Sequence, residues 1–125
     1  MVIHSRDSIK DTYDILSKYS LKGDIHCFSG SSEMAKEFTK LGYVIGIGGV
    51  VTFSNSKLYE VVKAIGIKNI VLETDSPYLS PYRGKVNESS NIPVIAKKIS
   101  DILDVSCDVV RDKTTMNAVR LFDLN

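Results

Sequence analysis

Four short apolar runs alternate along this chain with longer stretches whose apolar residues recur every three or four positions. The runs are Val2-Ile3-His4, Ile25-His26-Cys27-Phe28, residues 43–51 and Ile70-Val71-Leu72, each of strand length. Between them, Asp7 or Ser8 can cap a helix reaching about Tyr19, with Ile9, Tyr13, Leu16 and Tyr19 on one stripe. Ser31 or Ser32 caps a second, in which Met34, Phe38 and Leu41 repeat at helical spacing and Gly42 marks the end. Ser54 or Asn55 opens a third, whose Leu58, Val61, Val62 and Ile65 face inward before Gly66.

After the fourth run, residues 76–90 show no periodicity, and an irregular stretch of that length in a compact domain is often functional. Asn91 then starts a helix with Pro93 in its first turn and Ile95, Ile99, Ile102 and Leu103 on one face. Ser106 caps a last helical region to about Leu124, with a break expected near Thr114-Thr115. Its Val109, Val110, Met116, Val119 and Phe122 should close over the sheet.

This alternation predicts the α/β class: four βα units on a parallel sheet, then an extra terminal helix. Four strands cannot close the usual eight-stranded barrel. With 125 residues and no linker or repeat, positions 1–125 form a single domain. Gly46, Gly48 and Gly49 are no dinucleotide fingerprint, because they lead into Val50-Val51-Thr52-Phe53 rather than into a helix.

Composition narrows the picture by exclusion. Sixteen basic and fifteen acidic residues leave a net charge of +1, so no global field draws a polyanion, and any such binding must be local. Cys27 and Cys107 lack metal-type spacing and imply a reduced, cytoplasmic setting, with Cys107 packed on a helix. The longest apolar stretches are strand-sized, which predicts a soluble chain with no membrane partner.

The candidate chemistry lies at the ends of the runs. The chain uses histidine only twice, at His4 and His26, and both close an apolar run; the fourth run ends in Glu73-Thr74-Asp75. In parallel α/β folds the carboxyl ends of strands meet at one end of the sheet. Two imidazoles and a carboxylate gathered there suit a divalent metal with an open position, with Asp75 as ligand or general base. The plainer alternatives are core histidines and an aspartate that starts the turn into Ser76-Pro77. Arg83 and Lys85 flank Gly84 and could offer cations to a phosphate, or simply form a solvated turn.

Taken together, Val2-Ile3-His4-Ser5-Arg6-Asp7, Ile25-His26-Cys27-Phe28-Ser29-Gly30, the run from Ile45 to Phe53 and Leu72-Glu73-Thr74-Asp75-Ser76-Pro77-Tyr78, followed by Tyr82-Arg83-Gly84-Lys85-Val86-Asn87-Glu88, resemble the TatD family of metal-dependent deoxyribonucleases. The resemblance implies an amidohydrolase-like TIM barrel that uses two metals to cut phosphodiester bonds at single-stranded DNA ends. Carried over by motif, His4 and His26 would be the metal ligands of the fifth and sixth barrel strands. Asp75, on the eighth, would bind metal and handle the attacking water. Arg6, Arg83 and Lys85 become candidate phosphate contacts, and Glu73 a support for the site.

The family's His-x-His pair and its fourth-strand glutamate have no counterpart here. Met1 stands where the family usually has proline, and Ser89 replaces another. The expected object is therefore a carboxyl-terminal half barrel, strands five to eight, holding at most one ion of magnesium, manganese or zinc. Its open edges, at the strands of Ile3 and Val71, should pair in a homodimer or with a chain carrying the other half. The alternatives are a non-catalytic assembly or metal-binding module, and a hydrolase of the same fold acting on another substrate.

Overall fold

A computed structural model describes residues 1–124. The chain runs β1 (Val2–His4), α1 (Ile9–Leu16), β2 (Asp24–His26), α2 (Ser32–Lys40), β3 (Val44–Ile47), α3 (Leu58–Ile65), β4 (Ile70–Leu72), α4 (Ile92–Leu103) and α5 (Cys107–Phe122). The four strands are all parallel and stand in sequence order, β1-β2-β3-β4.

Register sorts the strand residues onto two faces. Ile3, Ile25, Ile45 and Ile70 are level with one another and form one row, with Ile47 and Leu72 beyond it. This row meets the helices and joins a core in which Phe38 is fully buried and Tyr13, Phe28 and Tyr43 each set an edge against its ring, with centroids 5.5, 6.4 and 6.3 Å away. The opposite row carries His4, His26, Gly46 and Val71. One face therefore builds the core, and the other presents the chemistry.

Two of the expected caps form: the Ser31 and Ser106 hydroxyls accept from the Met34 and Val109 amides, each at 3.2 Å. Elsewhere the structure differs from expectation. α1 stops at Leu16 and leaves Tyr19 exposed. β3 ends at Ile47, and residues Gly49–Thr52 wind into a 3₁₀ turn under the later loop, where a Cβ on Gly49 would lie 2.2 Å from the Leu79 carbonyl. α3 begins at Leu58, three residues beyond Asn55, and Ser56 accepts the Leu58 amide.

The largest departure is α5. It is continuous through Thr114-Thr115, because the Thr114 hydroxyl bonds back to the Val110 carbonyl at 2.8 Å and leaves the helix intact. Of its apolar set only Val110 is buried; Val109, Met116, Val119 and Phe122 are exposed, as is Cys107, which does not pack. Polar residues hold the helix to the sheet instead. Asn117 is buried and donates to the Ile67 and Ile70 carbonyls at 2.9 and 2.8 Å.

That contact also alters the expected edges. Glu73 donates its amide to Ile47, so residues 71 and 73 face β3 while Ile70 and Leu72 face outward. Asn117 covers the outward Ile70 carbonyl, leaving β4 partly capped and β1 as the open edge. No described helix is long and apolar enough to cross a membrane.

Candidate metal centre

β1, β2 and β4 deliver their last residues to the same end of the sheet, where the backbone becomes unusual. Cys27 follows β2 at φ 48°, Asp75 follows β4 at φ 57°, and Asp7 and Leu79 nearby take φ 53° and 56°. Left-handed backbone is tolerable for aspartate but costs cysteine and leucine free energy, and such strain persists only where surrounding contacts impose it. At Cys27 the contact is plain: its amide donates to Glu73 Oε1 at 2.6 Å.

Glu73 uses its other oxygen on His26, with Oε2 2.6 Å from Nδ1. On the far side of the ring, Nε2 lies 3.1 Å from Asp75 Oδ1. His4 completes the group, its ring centroid 5.9 Å from that of His26. The structure thus brings His4, His26 and Asp75 together around one imidazole, with Glu73 behind it. Burial opposes a charge on His26, but Glu73 and Asp75 outweigh it and raise its pKa above the usual histidine value. Burial likewise raises Glu73, offset in part by His26, and pushes the Cys27 thiol up to about 11.

Asp24 was not among the residues singled out from the sequence. It opens β2 on the same face as His26, is only 4% exposed, and its Oδ1 has no hydrogen-bond partner. Burial first and Glu73 second push its pKa up to about 7. Asp24, His26 and Glu73 offer ligand atoms that all lie within 4.8 Å of one another. Gly46 makes room for them: a Cβ there would stand 2.4 Å from Glu73 Oε2 and 2.9 Å from Asp24 Oδ1. The only sequence signal was an acid at the start of a strand whose neighbours face a core.

A cavity of about 520 Å³ opens over this end of the sheet, and His4, Arg6 and Asp75 line it. Arg83 and Lys85 are exposed on the following loop and do not contribute to its lining. That loop is tied down by another residue the sequence did not mark. Asn87, 2% exposed, donates from Nδ2 to the carbonyls of Thr74 and Tyr78 at 2.6 and 2.7 Å, and its Oδ1 accepts from Asn91.

The donor chemistry fits a divalent ion. His4, His26 and Asp75 carry nitrogen and oxygen atoms of the kind such an ion takes, and a proton held on Nδ1 by Glu73 would leave the Nε2 lone pair, 3.1 Å from Asp75 Oδ1, to bind it. Asp24 and Glu73 form a second oxygen-rich group behind the ring, and the unpartnered Asp24 oxygen is a donor with nothing to bind.

The fold and site together define a parallel α/β half barrel with a metal-type centre at its strand ends. The chain belongs to the TatD related DNase family, whose model matches residues 1–123. A Bacillus subtilis relative, named as the uncharacterized metal-dependent hydrolase YabD, is 39% identical over 131 residues, covering 100% of this chain and 51% of its own. A Vairimorpha ceranae relative, named as a putative deoxyribonuclease TATDN1 homolog, is 35% identical over 133 residues, covering 96% of this chain and 51% of its own. The crystal structure of the Escherichia coli TatD homolog YjjV superposes with a TM-score of 0.92 at 27% identity, over 99% of this chain and 50% of that one. The chain spans about half the length of the curated relatives it matches.

Proposed function

We propose that this chain carries one half of a metal-dependent phosphodiesterase site of the deoxyribonuclease type, with magnesium, manganese or zinc as cofactor. The observation that carries the reading is His26, held between Glu73 and Asp75 with His4 beside it, next to a cavity that His4 and Asp75 line. The names of the family and of the Vairimorpha relative favour DNA, and we take single-stranded ends as the substrate from the motif resemblance.

When bound, a divalent ion would polarise the phosphate and lower the pKa of a ligated water. His4 and His26 would hold that ion through their ring nitrogens, and Asp75, which lines the cavity, would accept the proton of the attacking water. Arg6 lines the same cavity and neutralises the phosphate; Arg83 and Lys85 extend that attraction to the flanking strand. Cys27 and Cys107 are both free thiols, in keeping with a reduced, cytoplasmic setting.

The test is cleavage of single-stranded DNA by the purified chain with magnesium or manganese. Metal-dependent cleavage that disappears in His26→Ala and Asp75→Ala supports the reading. Cleavage that survives either substitution, or that ignores chelator, overturns it.

A second reading has its own observation. β1 presents an open edge and α5 an exposed apolar set, as expected of a module that joins a second copy or a chain bearing further barrel strands. In that reading the metal group serves the assembly, and the single chain cuts nothing.

A further inference from the structure

We propose that Tyr78 is a stacking platform for a nucleobase of the strand whose phosphate lies at His4, His26 and Asp75, an inference that rests on the phosphodiesterase reading above. The cavity over the site is lined by more than phosphate chemistry requires: beside His4, Arg6 and Asp75 stand Phe28, Val50 and Leu79. A phosphodiester alone has no use for an apolar wall, whereas a nucleotide brings a flat aromatic surface, and about 520 Å³ lies within the range of small-ligand pockets.

Tyr78 is the exposed aromatic of that lining. The residue is 69% exposed, so it contributes little to the core, yet its backbone is pinned on both sides. Its amide donates to the Asp75 carbonyl at 2.9 Å and its own carbonyl accepts from buried Asn87 at 2.7 Å. Leu79, next in sequence, is held in left-handed backbone at φ 56°. Backbone held three residues from Asp75 has its own ordering cost already met in folding, so stacking would have only the ring's rotamer left to fix. Stacking on a π-face tolerates every base, so the platform would hold the strand whatever its sequence. Tyr82, on the same loop and also exposed, lies outside the cavity lining and serves as the control.

The experiment is fluorescence anisotropy of the whole chain with a short labelled single-stranded DNA, intact or with every base replaced by an abasic site. For the intact strand, Tyr78→Ala should weaken Kd roughly 5- to 150-fold, the range for losing one stacked base. Tyr78→Phe should restore binding and Tyr82→Ala should match wild type. On the abasic strand, wild type and Tyr78→Ala should bind alike. Equal binding of the intact strand by wild type and Tyr78→Ala, an equal loss on the abasic strand, or no binding by wild type overturns the platform. Metal-dependent cleavage with Tyr78-independent binding removes the platform and leaves the hydrolase. Tyr78-dependent binding without such cleavage does the reverse.

Discussion

Glu73 grips His26 and the amide of the next residue with its two carboxylate oxygens, both at 2.6 Å. One side chain from β4's end therefore sets the ring orientation, the tautomer and the left-handed turn at Cys27. This is the arrangement by which a carboxylate behind a ligating histidine tunes a metal site.

Glu73→Gln keeps the size but leaves one acceptor for two donors, so either His26 Nδ1 or the Cys27 amide loses its partner. Affinity for manganese or zinc, measured by calorimetry, should fall about 10- to 100-fold with the fold intact by circular dichroism. Nitrogen chemical shifts of His26 should report the lost tautomer preference. Unchanged affinity would show that Glu73 is only packing.

Asp24 predicts a pH effect on the metal-free, chelator-treated chain. The unfolded chain ionises this group near its ordinary 3.8, whereas the folded chain keeps the proton to about 7. A raised carboxyl favours folding at low pH, and that contribution drains away as the pH climbs from about 4 to 7, by about 4 kcal/mol at most. Asp24→Asn removes the ionisation. Its stability relative to wild type, from urea titrations, should be near equal at acid pH and clearly higher at pH above the folded value. A difference independent of pH would refute the assignment.

How far the sequence reached is clearest at His26. Strand ends repeat a simple grammar, apolar run then polar terminus, so the gathering of His4, His26 and Asp75 at one end of the sheet is legible without coordinates. The parallel topology that unites them follows from the alternation of the same runs with helices. Asp24 was hidden because it begins its strand, so periodicity gives it no special place, and only the register shows it beside Gly46 and Glu73. Asn87 was hidden because its work is bonding to main-chain carbonyls, which leaves no side-chain pattern. α5 misled for the opposite reason: it has apolar residues in plenty, but Thr114 and Asn117 occupy its buried face.

Gly46→Ala tests the packing of the acids directly. The new methyl would sit 2.4 Å from Glu73 Oε2, so the carboxylate must leave His26 or the strand must shift. The expected cost is about 1–3 kcal/mol of stability together with weakened metal binding, read by thermal melts with and without manganese. Retained affinity and an unchanged melting temperature would mean that the Glu73 contact is dispensable.

The open edge of β1 makes the last prediction. The Asp24 backbone amide donates to the Met1 carbonyl, so the main chain of Met1 and Ile3 faces β2 while the Val2 amide points away from the sheet, and Val2 is 57% exposed. Unpaired edges recruit strands, and here the opposite edge is partly satisfied by Asn117, which leaves β1 as the surface for a second copy. Light scattering after size-exclusion chromatography should show a dimer for the wild-type chain. Val2→Pro removes only the outward amide, which proline can do on an edge without breaking a bond inside the sheet. That variant should therefore elute as a folded monomer. A wild-type chain that is monomeric across a wide concentration range would show that β1 needs no partner, since the substitution would then have nothing to dissociate.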